Sequence, residues 1–207
     1  MLARNRQARP STDSGRMAAG VDRGVPVAAR MLVCHPDTPA RAIAGVEARI
    51  LRRKDGAWLI EYVVSDPDAR LHLPGRGNPA RVDGLWQTTC LEMFVADPNG
   101  QYREFNFSPS TEWAAYRFEG RRTGRSDAEM RSPPDIAPFR ANSSYAQCVA
   151  LDAEEIVPMP GLRIGLCAVI EELDGTKSYW ALKHPAGKPD FHDPACFALE
   201  LPAPPQS

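Results

Sequence analysis

LWQTTCLEMFVADPNGQYREFNFSPS, residues 85–110, reads as two β-strands joined by a tight turn. Side chains alternate across a strand, so Leu91, Met93 and Val95 share one face while Cys90, Glu92 and Phe94 share the other. On the second strand Arg103, Phe105 and Phe107 lie opposite in face to Tyr102, Glu104, Asn106 and Ser108. A loop of Pro98-Asn99-Gly100, with Gly100 in the left-handed region, sets Asp97 opposite Gln101. Met93 then faces Phe105, Leu91 faces Phe107, and Glu92 faces Asn106. One side of the hairpin is a core of Leu, Met and Phe. The other gathers Glu92, Glu104, Asn106 and Ser108, and Trp86, with the parity of Glu92, is expected to join them.

The same alternation recurs along the chain. Residues 43–53 and 58–65 flank Lys-Asp-Gly, a hairpin signature, and further strands are expected at 86–96, 102–108, 112–119, 145–151, 162–173, 179–184 and 196–201. Two irregular stretches, 66–84 and 120–138, read as long loops, the first with room for one brief strand, and the sole helical turn is expected at 152–156. In a chain of 207 residues with 43% hydrophobic content, twenty prolines argue against long helices. The expected fold is an all-β, single-domain antiparallel β-sandwich, jelly-roll-like, with about nine to ten strands and long loops.

The net charge of −1 conceals an asymmetry. Residues 1–30 hold six Arg against two Asp, a net +4, which leaves −5 for the remainder. Without an aromatic residue or sustained apolar periodicity, residues 1–30 read as a disordered basic leader, with Met31 as the natural start, residues 31–202 as the domain and 203–207 as a tail. An acidic body lacks the basic face that nucleic-acid binding requires. No apolar run is long enough to span a bilayer or to form the core of a secretory signal, so the expected location is cytoplasmic. Five widely spaced cysteines without a CxxC pair are expected as free thiols.

The polar hairpin face has two readings. A tryptophan beside carboxylates and an amide suits a sugar, with the indole on the C–H face and Glu and Asn on the hydroxyls; the alternative is an ordinary solvent-facing sheet. A second polar concentration lies in SYWALKHPAGKPDFHDPACF, residues 178–197. There His184, Asp190 and His192 are either ligands for a divalent metal or anchors that tie a long loop down through backbone hydrogen bonds. Glu92 and Glu104 form a conceivable glycosidase pair, and Cys90 a conceivable nucleophile, although an in-strand Cys is more often structural. The signatures of phosphate cradles, dinucleotide folds, hydrolase elbows and zinc proteases are absent.

DGLWQTTCLEMFVAD (83–97), YREFNFSPSTEWAAYRFEG (102–120) and VIEELDGTKSYWALKHPAGKPDFHDPACFALEL (169–201) resemble bacterial DOMON-like domains, relatives of the family 9 carbohydrate-binding modules. MLVCHPDTPA (31–40) resembles the usual start of such proteins. The resemblance implies a β-sandwich that binds a small ligand, usually a sugar; without an activated nucleophile in the sequence, neither catalysis nor a cofactor is expected. In the family 9 modules two tryptophans sandwich a sugar held by a Glu. Trp86 and Glu92 match the first tryptophan and that Glu, and Trp180 is the candidate second wall, with Trp113 competing. Glu104, Asn106, Lys183 and His184 complete the expected ligand set. Some DOMON relatives bind haem, for which Met93 with His72, His184 or His192 would be the candidate axial ligands.

Overall fold

The computed structural model describes residues 24–201. Thirteen strands build two antiparallel sheets that pack as a β-sandwich. The smaller contains β1 (Val25–Met31), β3 (Gly45–Arg52), β4 (Trp58–Ser65), β9 (Asp135–Arg140) and β10 (Ser144–Leu151), in the order β1-β3-β4-β10-β9. The larger contains β2 (Val33–Cys34), β5 (Cys90–Ala96), β6 (Tyr102–Phe107), β7 (Trp113–Phe118), β8 (Ser126–Asp127), β11 (Arg163–Glu171) and β12 (Lys177–Ala181), in the order β2-β12-β11-β5-β6-β7-β8. β13 (Leu199–Glu200) pairs with β11. Both edge strands of the smaller sheet carry a proline, Pro26 in β1 and Pro138 in β9, where a missing N–H leaves the interior ladder intact and discourages further pairing.

The hairpin register is the one its sequence dictates. Met93 pairs with Phe105, Leu91 with Phe107 and Glu92 with Asn106; Asp97 N–H donates to the Gln101 carbonyl, and Gly100 has φ 88°. The odd-numbered apolar residues of β5 and β6 enter the layer between the sheets and meet Ile50, Ile60, Val64 and Val149 from the smaller sheet. Tyr62, fully buried in that layer, donates its hydroxyl to the Glu92 carbonyl at 2.6 Å, joining β4 directly to β5.

Several expectations need correction. Residues 25–30, expected within a disordered leader that ended before Met31, form β1, pair with β3 and bury Ala28. Pro26 and a register shift between Pro26 and Ala28 interrupt the apolar alternation that would have marked the strand. Residues 1–23 and the tail lie outside the described residues. The strand expected from residue 86 begins at Cys90, because Leu85–Gln87 is a 3-10 turn entered through left-handed Gly84. The expected stretch 196–201 splits into a 3-10 turn, Pro194–Cys196, and β13. The excess over nine or ten strands comes from β1, from β9 inside and beyond the expected 120–138 loop, and from the two-residue β2 and β8, too short for any periodicity. All five cysteines are free, and no helix among the described residues is long and apolar enough to cross a membrane.

Acidic residues fasten the loops. Asp66, fully buried, accepts from the N–H groups of Arg70 and Leu71 and from Arg140. Glu172 accepts from the N–H groups of Arg41 and Ala42, and Glu155 from Arg131 N–H and the Arg103 guanidinium. Each buried carboxylate thereby gains the donors that offset its desolvation.

Removing the Tyr62 hydroxyl leaves a buried carbonyl without its cross-layer donor. Tyr62→Phe is therefore expected to lower unfolding free energy by about 1–3 kcal/mol with an unchanged denaturant slope. Urea unfolding followed by circular dichroism measures this, and wild-type stability in the variant would contradict it.

Candidate functional site

The outer face of the eight-stranded sheet is not open to solvent. Even-numbered side chains of β5, β6 and β7, with odd-numbered ones of β11 and β12, form a second apolar cluster that includes Phe94, Tyr102, Tyr116, Phe118 and Val169. Phe191 and Phe197 of the C-terminal loop lie over it. Phe197 stacks on Phe94 with centroids 5.5 Å apart, and this approach requires Gly165, where an added Cβ would stand 2.8 Å from Phe197 Cδ1.

Where this cover stops, a cleft of about 790 Å³ opens onto the sheet. Glu92 and Glu104 lie in it, and Trp86, Tyr116, Tyr179 and Phe191 contribute aromatic surface. The 3-10 turn brings in Trp86, which is 39% exposed and meets Tyr116 edge-on at 6.3 Å. The tight turn at 120–123 supplies Arg122, held at a left-handed φ of 54° with its N–H donating to the Tyr102 hydroxyl. Arg121 and Arg122 both grip Asp190, and Arg121 also reaches Asp193, so charge pairs bind this turn to the loop that carries Phe191 and His192.

The electrostatics of the floor follow from burial. Glu92 is 3% exposed, and its Oε1 has no hydrogen-bond partner, in contrast to Asp66, Glu155 and Glu172. Burial, and next the neighbouring Glu104, push its carboxyl well above the usual carboxylate range against the pull of Arg122. Burial also raises Glu104, opposed by a hydrogen bond from Asn106 Nδ2 at 2.8 Å and by Arg125 and Arg122. His192 Nε2 lies 3.7 Å from Glu104 Oε2, but burial, then Arg122, hold the imidazole down to about 4, so it is neutral at pH 7. Since the Tyr102 oxygen accepts from Arg122 N–H, its proton is free to point at His192 Nδ1, 2.8 Å away. The Nε2 proton of that tautomer is then directed towards Glu104.

Of the expected ligand set, Trp86, Glu92 and Glu104 come together in the cleft, and Asn106 lies beneath it, fully buried against Glu104. Trp180, Lys183 and His184 do not line it. Trp180 is 6% exposed in the layer between the sheets, with Nε1 donating to Ser178 Oγ, and Trp113 belongs to the same layer. The parity within β12 was readable, but its facing depends on the pairing of Ala168 with Trp180, which turns Tyr179 to the cleft instead. Lys183 is exposed outside the cleft, and His184 Nε2 bonds the Val33 carbonyl. The recruited loop residues Arg122, Arg125 and Lys188 carry no sequence signal that marks them, although Tyr116 follows from the parity of β7.

Other expected chemistries find no convergent set. Met93 is sealed between the sheets while His192 packs on Phe94, across the sheet, and His72 and His184 are engaged with Thr88 Oγ1 and the Val33 carbonyl, so these residues do not converge as an axial pair for haem. His184, Asp190 and His192 have separate partners, and the described residues contain no group of three or more His, Cys, Asp or Glu arranged for a metal. Cys90 is fully buried, which pushes its thiol well above the ordinary range.

A raised carboxyl pKa carries a stability consequence of definite sign. The native state holds the Glu92 proton more tightly than the unfolded chain, so this group's contribution is lost as pH rises from the unfolded value, about 4.3 for Glu, through the native one. Glu92→Gln is expected to gain stability relative to wild type progressively above pH ~4.3, a difference read from urea unfolding of both proteins across a pH series. A pH-independent difference between the two proteins would contradict the assignment.

No protein-family model matches the chain, and no curated protein matches it. Among solved structures it is similar to a protein of Bacteroides uniformis described as a candidate carbohydrate binder, with 17% identity and a TM-score of 0.56 over 83% of this chain and 84% of that one. It is also matched to a family 9 carbohydrate-binding module of Caldicellulosiruptor kristjanssonii solved with cellotriose, with 12% identity and a TM-score of 0.40 over 75% of each chain. The first likeness is one of fold, an all-β architecture that two unrelated-looking sequences share.

Proposed function

We propose that the cleft on the outer face of the eight-stranded sheet binds a carbohydrate, without catalysis. The observation that carries this reading is the meeting of an exposed tryptophan, Trp86, with a buried carboxyl, Glu92, whose Oε1 has no partner among the described residues, in one cleft. A pyranose presents both complements: an apolar C–H face for the indole and hydroxyls for the unmatched oxygen. An unsatisfied buried polar atom is costly, and a ligand hydroxyl at Glu92 Oε1 would remove that cost. A carboxyl that carries its proton, the form burial favours at Glu92, both donates and accepts, which suits hydroxyl groups. Tyr179 takes the role of second wall that Trp180 was expected to fill. The fold neighbour described as a carbohydrate binder accords with the reading, as does the resemblance of the two long motifs to DOMON-like domains and the family 9 modules. A volume of about 790 Å³ lies within the usual range for small-molecule sites, roughly 300–1,000 Å³.

Intrinsic fluorescence titrated with a panel of mono- and disaccharides tests the proposal, because Trp86 changes environment on stacking. Trp86→Ala is expected to weaken binding at least about tenfold, a loss of about 1.4 kcal/mol or more, and to abolish the fluorescence response. Trp180→Phe, a change in the inner layer, should leave both intact. No response to any member of the panel would overturn the proposal.

A further inference from the structure

The floor of the cleft is electrostatically incomplete in a way that a neutral sugar does not fully resolve. Five acidic side chains among the described residues are buried: Asp66, Glu92, Glu104, Glu155 and Glu172. Asp66, Glu155 and Glu172 are met by backbone N–H groups, two of them also by a guanidinium. Among the described residues, Glu92 and Glu104 have no Lys or Arg within ion-pair distance, and the neighbour Glu104 does have, His192, is an imidazole that burial keeps neutral. The two lie diagonally on adjacent strands, Glu92 opposite Asn106 and Glu104 two residues away from it on the same face. Side chains at such diagonal positions are within reach of a common group.

The cations that line the cleft are committed elsewhere or exposed. The Arg122 guanidinium makes two hydrogen bonds to Asp190 Oδ1, at 2.8 and 3.1 Å. Arg125 lies 4.1 Å over the Tyr116 ring and 3.7 Å from Asp83. Lys188 and Asp37 are exposed charges of opposite sign on the rim, where solvent and salt screen both. A buried pair of like groups, one with an unmatched oxygen, is stabilised most by a compact positive donor. An ammonium offers three N–H donors, and the aromatic surface of Trp86 in the same cleft favours a cation further.

Resting on the carbohydrate reading above, we propose that the sugar this cleft takes is an amino sugar, its free amine held as an ammonium between the carboxyls of Glu92 and Glu104. The amine supplies the kind of cation that Asp66 and Glu155 receive from Arg140 and Arg103, and the sugar ring lies against Trp86. An N-acetyl group would forfeit the interaction, since it removes the charge and places a methyl where the carboxyls stand.

Calorimetric titration of the full chain with glucosamine, galactosamine and mannosamine, each beside its parent hexose and its N-acetyl derivative, at a slightly acid pH where the amine is protonated, tests this. At least one amine is expected to bind about tenfold or more tightly than its parent and its N-acetyl form, a difference of about 1.4 kcal/mol. Glu92→Gln, which keeps the shape but cannot give up a proton to meet the ammonium as a carboxylate, should bring amine and parent to within about twofold of each other, roughly 0.4 kcal/mol. Glu104→Gln gives a second readout of the same kind. Parent hexoses bound as well as or better than the amines would overturn the amino-sugar proposal and leave the carbohydrate reading standing; an amine preference unchanged in both variants would likewise overturn it. Absence of binding by all nine compounds would overturn it together with the carbohydrate reading for monosaccharides.

Discussion

Burial of the eight-stranded sheet on both faces is the constraint from which the rest follows. Its inner face meets the five-stranded sheet, and its outer face meets loops that carry Phe191 and Phe197. A two-sided sheet admits a polar side chain only where something answers it, which is why Asn106 bonds Glu104, and the same rule holds beyond its strands, where Asp66, Glu155 and Glu172 collect backbone donors. Glu92 breaks this pattern at the place where the outer cover opens. The same strand is held from behind by Tyr62, whose hydroxyl meets the Glu92 carbonyl, so the residue at the cleft floor sits on a segment clamped through the apolar layer. Rigid backbone with an unmatched side chain is the arrangement expected of a recognition site rather than of a defect in packing.

The architecture was legible wherever alternation was strong and turns were short. Pro98-Asn99-Gly100 determined a register that set six residues on their proper faces, and Lys-Asp-Gly marked β3 and β4 as a hairpin. What stayed hidden shares one physical origin. Pairings between strands distant in sequence, such as Ala168 with Trp180, leave no local mark, so the faces of β12 could be separated but not assigned. The expectation that Trp180 and Glu92 share a face failed for that reason alone. β1 was missed differently, because Pro26 and a bulge erase its period. At the cleft, strand residues Glu92 and Glu104 were readable from parity. Trp86 reached the same cleft by another route, through a 3-10 turn instead of strand alternation, and the right placement therefore rested on the wrong local structure. Arg122, Arg125 and Lys188 arrive on loops, whose paths no short-range pattern encodes.

The C-terminal stretch shows how one segment can be both anchor and wall. Its polar residues, read from sequence as either metal ligands or loop ties, are spent largely as ties: Asp190 on two arginines, Asp193 on one of them and on the N–H of Ala195, His184 on the Val33 carbonyl. These ties position Phe191 and His192 over the sheet. The glycine at 165 lets Phe197 settle close enough to close the outer layer beyond them.

That fastening has a character of its own. Asp190 and Asp193 are mostly covered, but the arginines that grip them are about half exposed, with side-chain exposures of 52% and 59%. One wall of the cleft is thus secured by direct but solvent-exposed ion pairs, whereas the strands of the floor are secured by apolar packing that salt hardly touches. With a screening length of about 8 Å at physiological ionic strength, added electrolyte loosens the first wall selectively. The hold on that wall is in this sense a property of the medium as well as of the fold, weakened by dissolved ions that never enter the cleft.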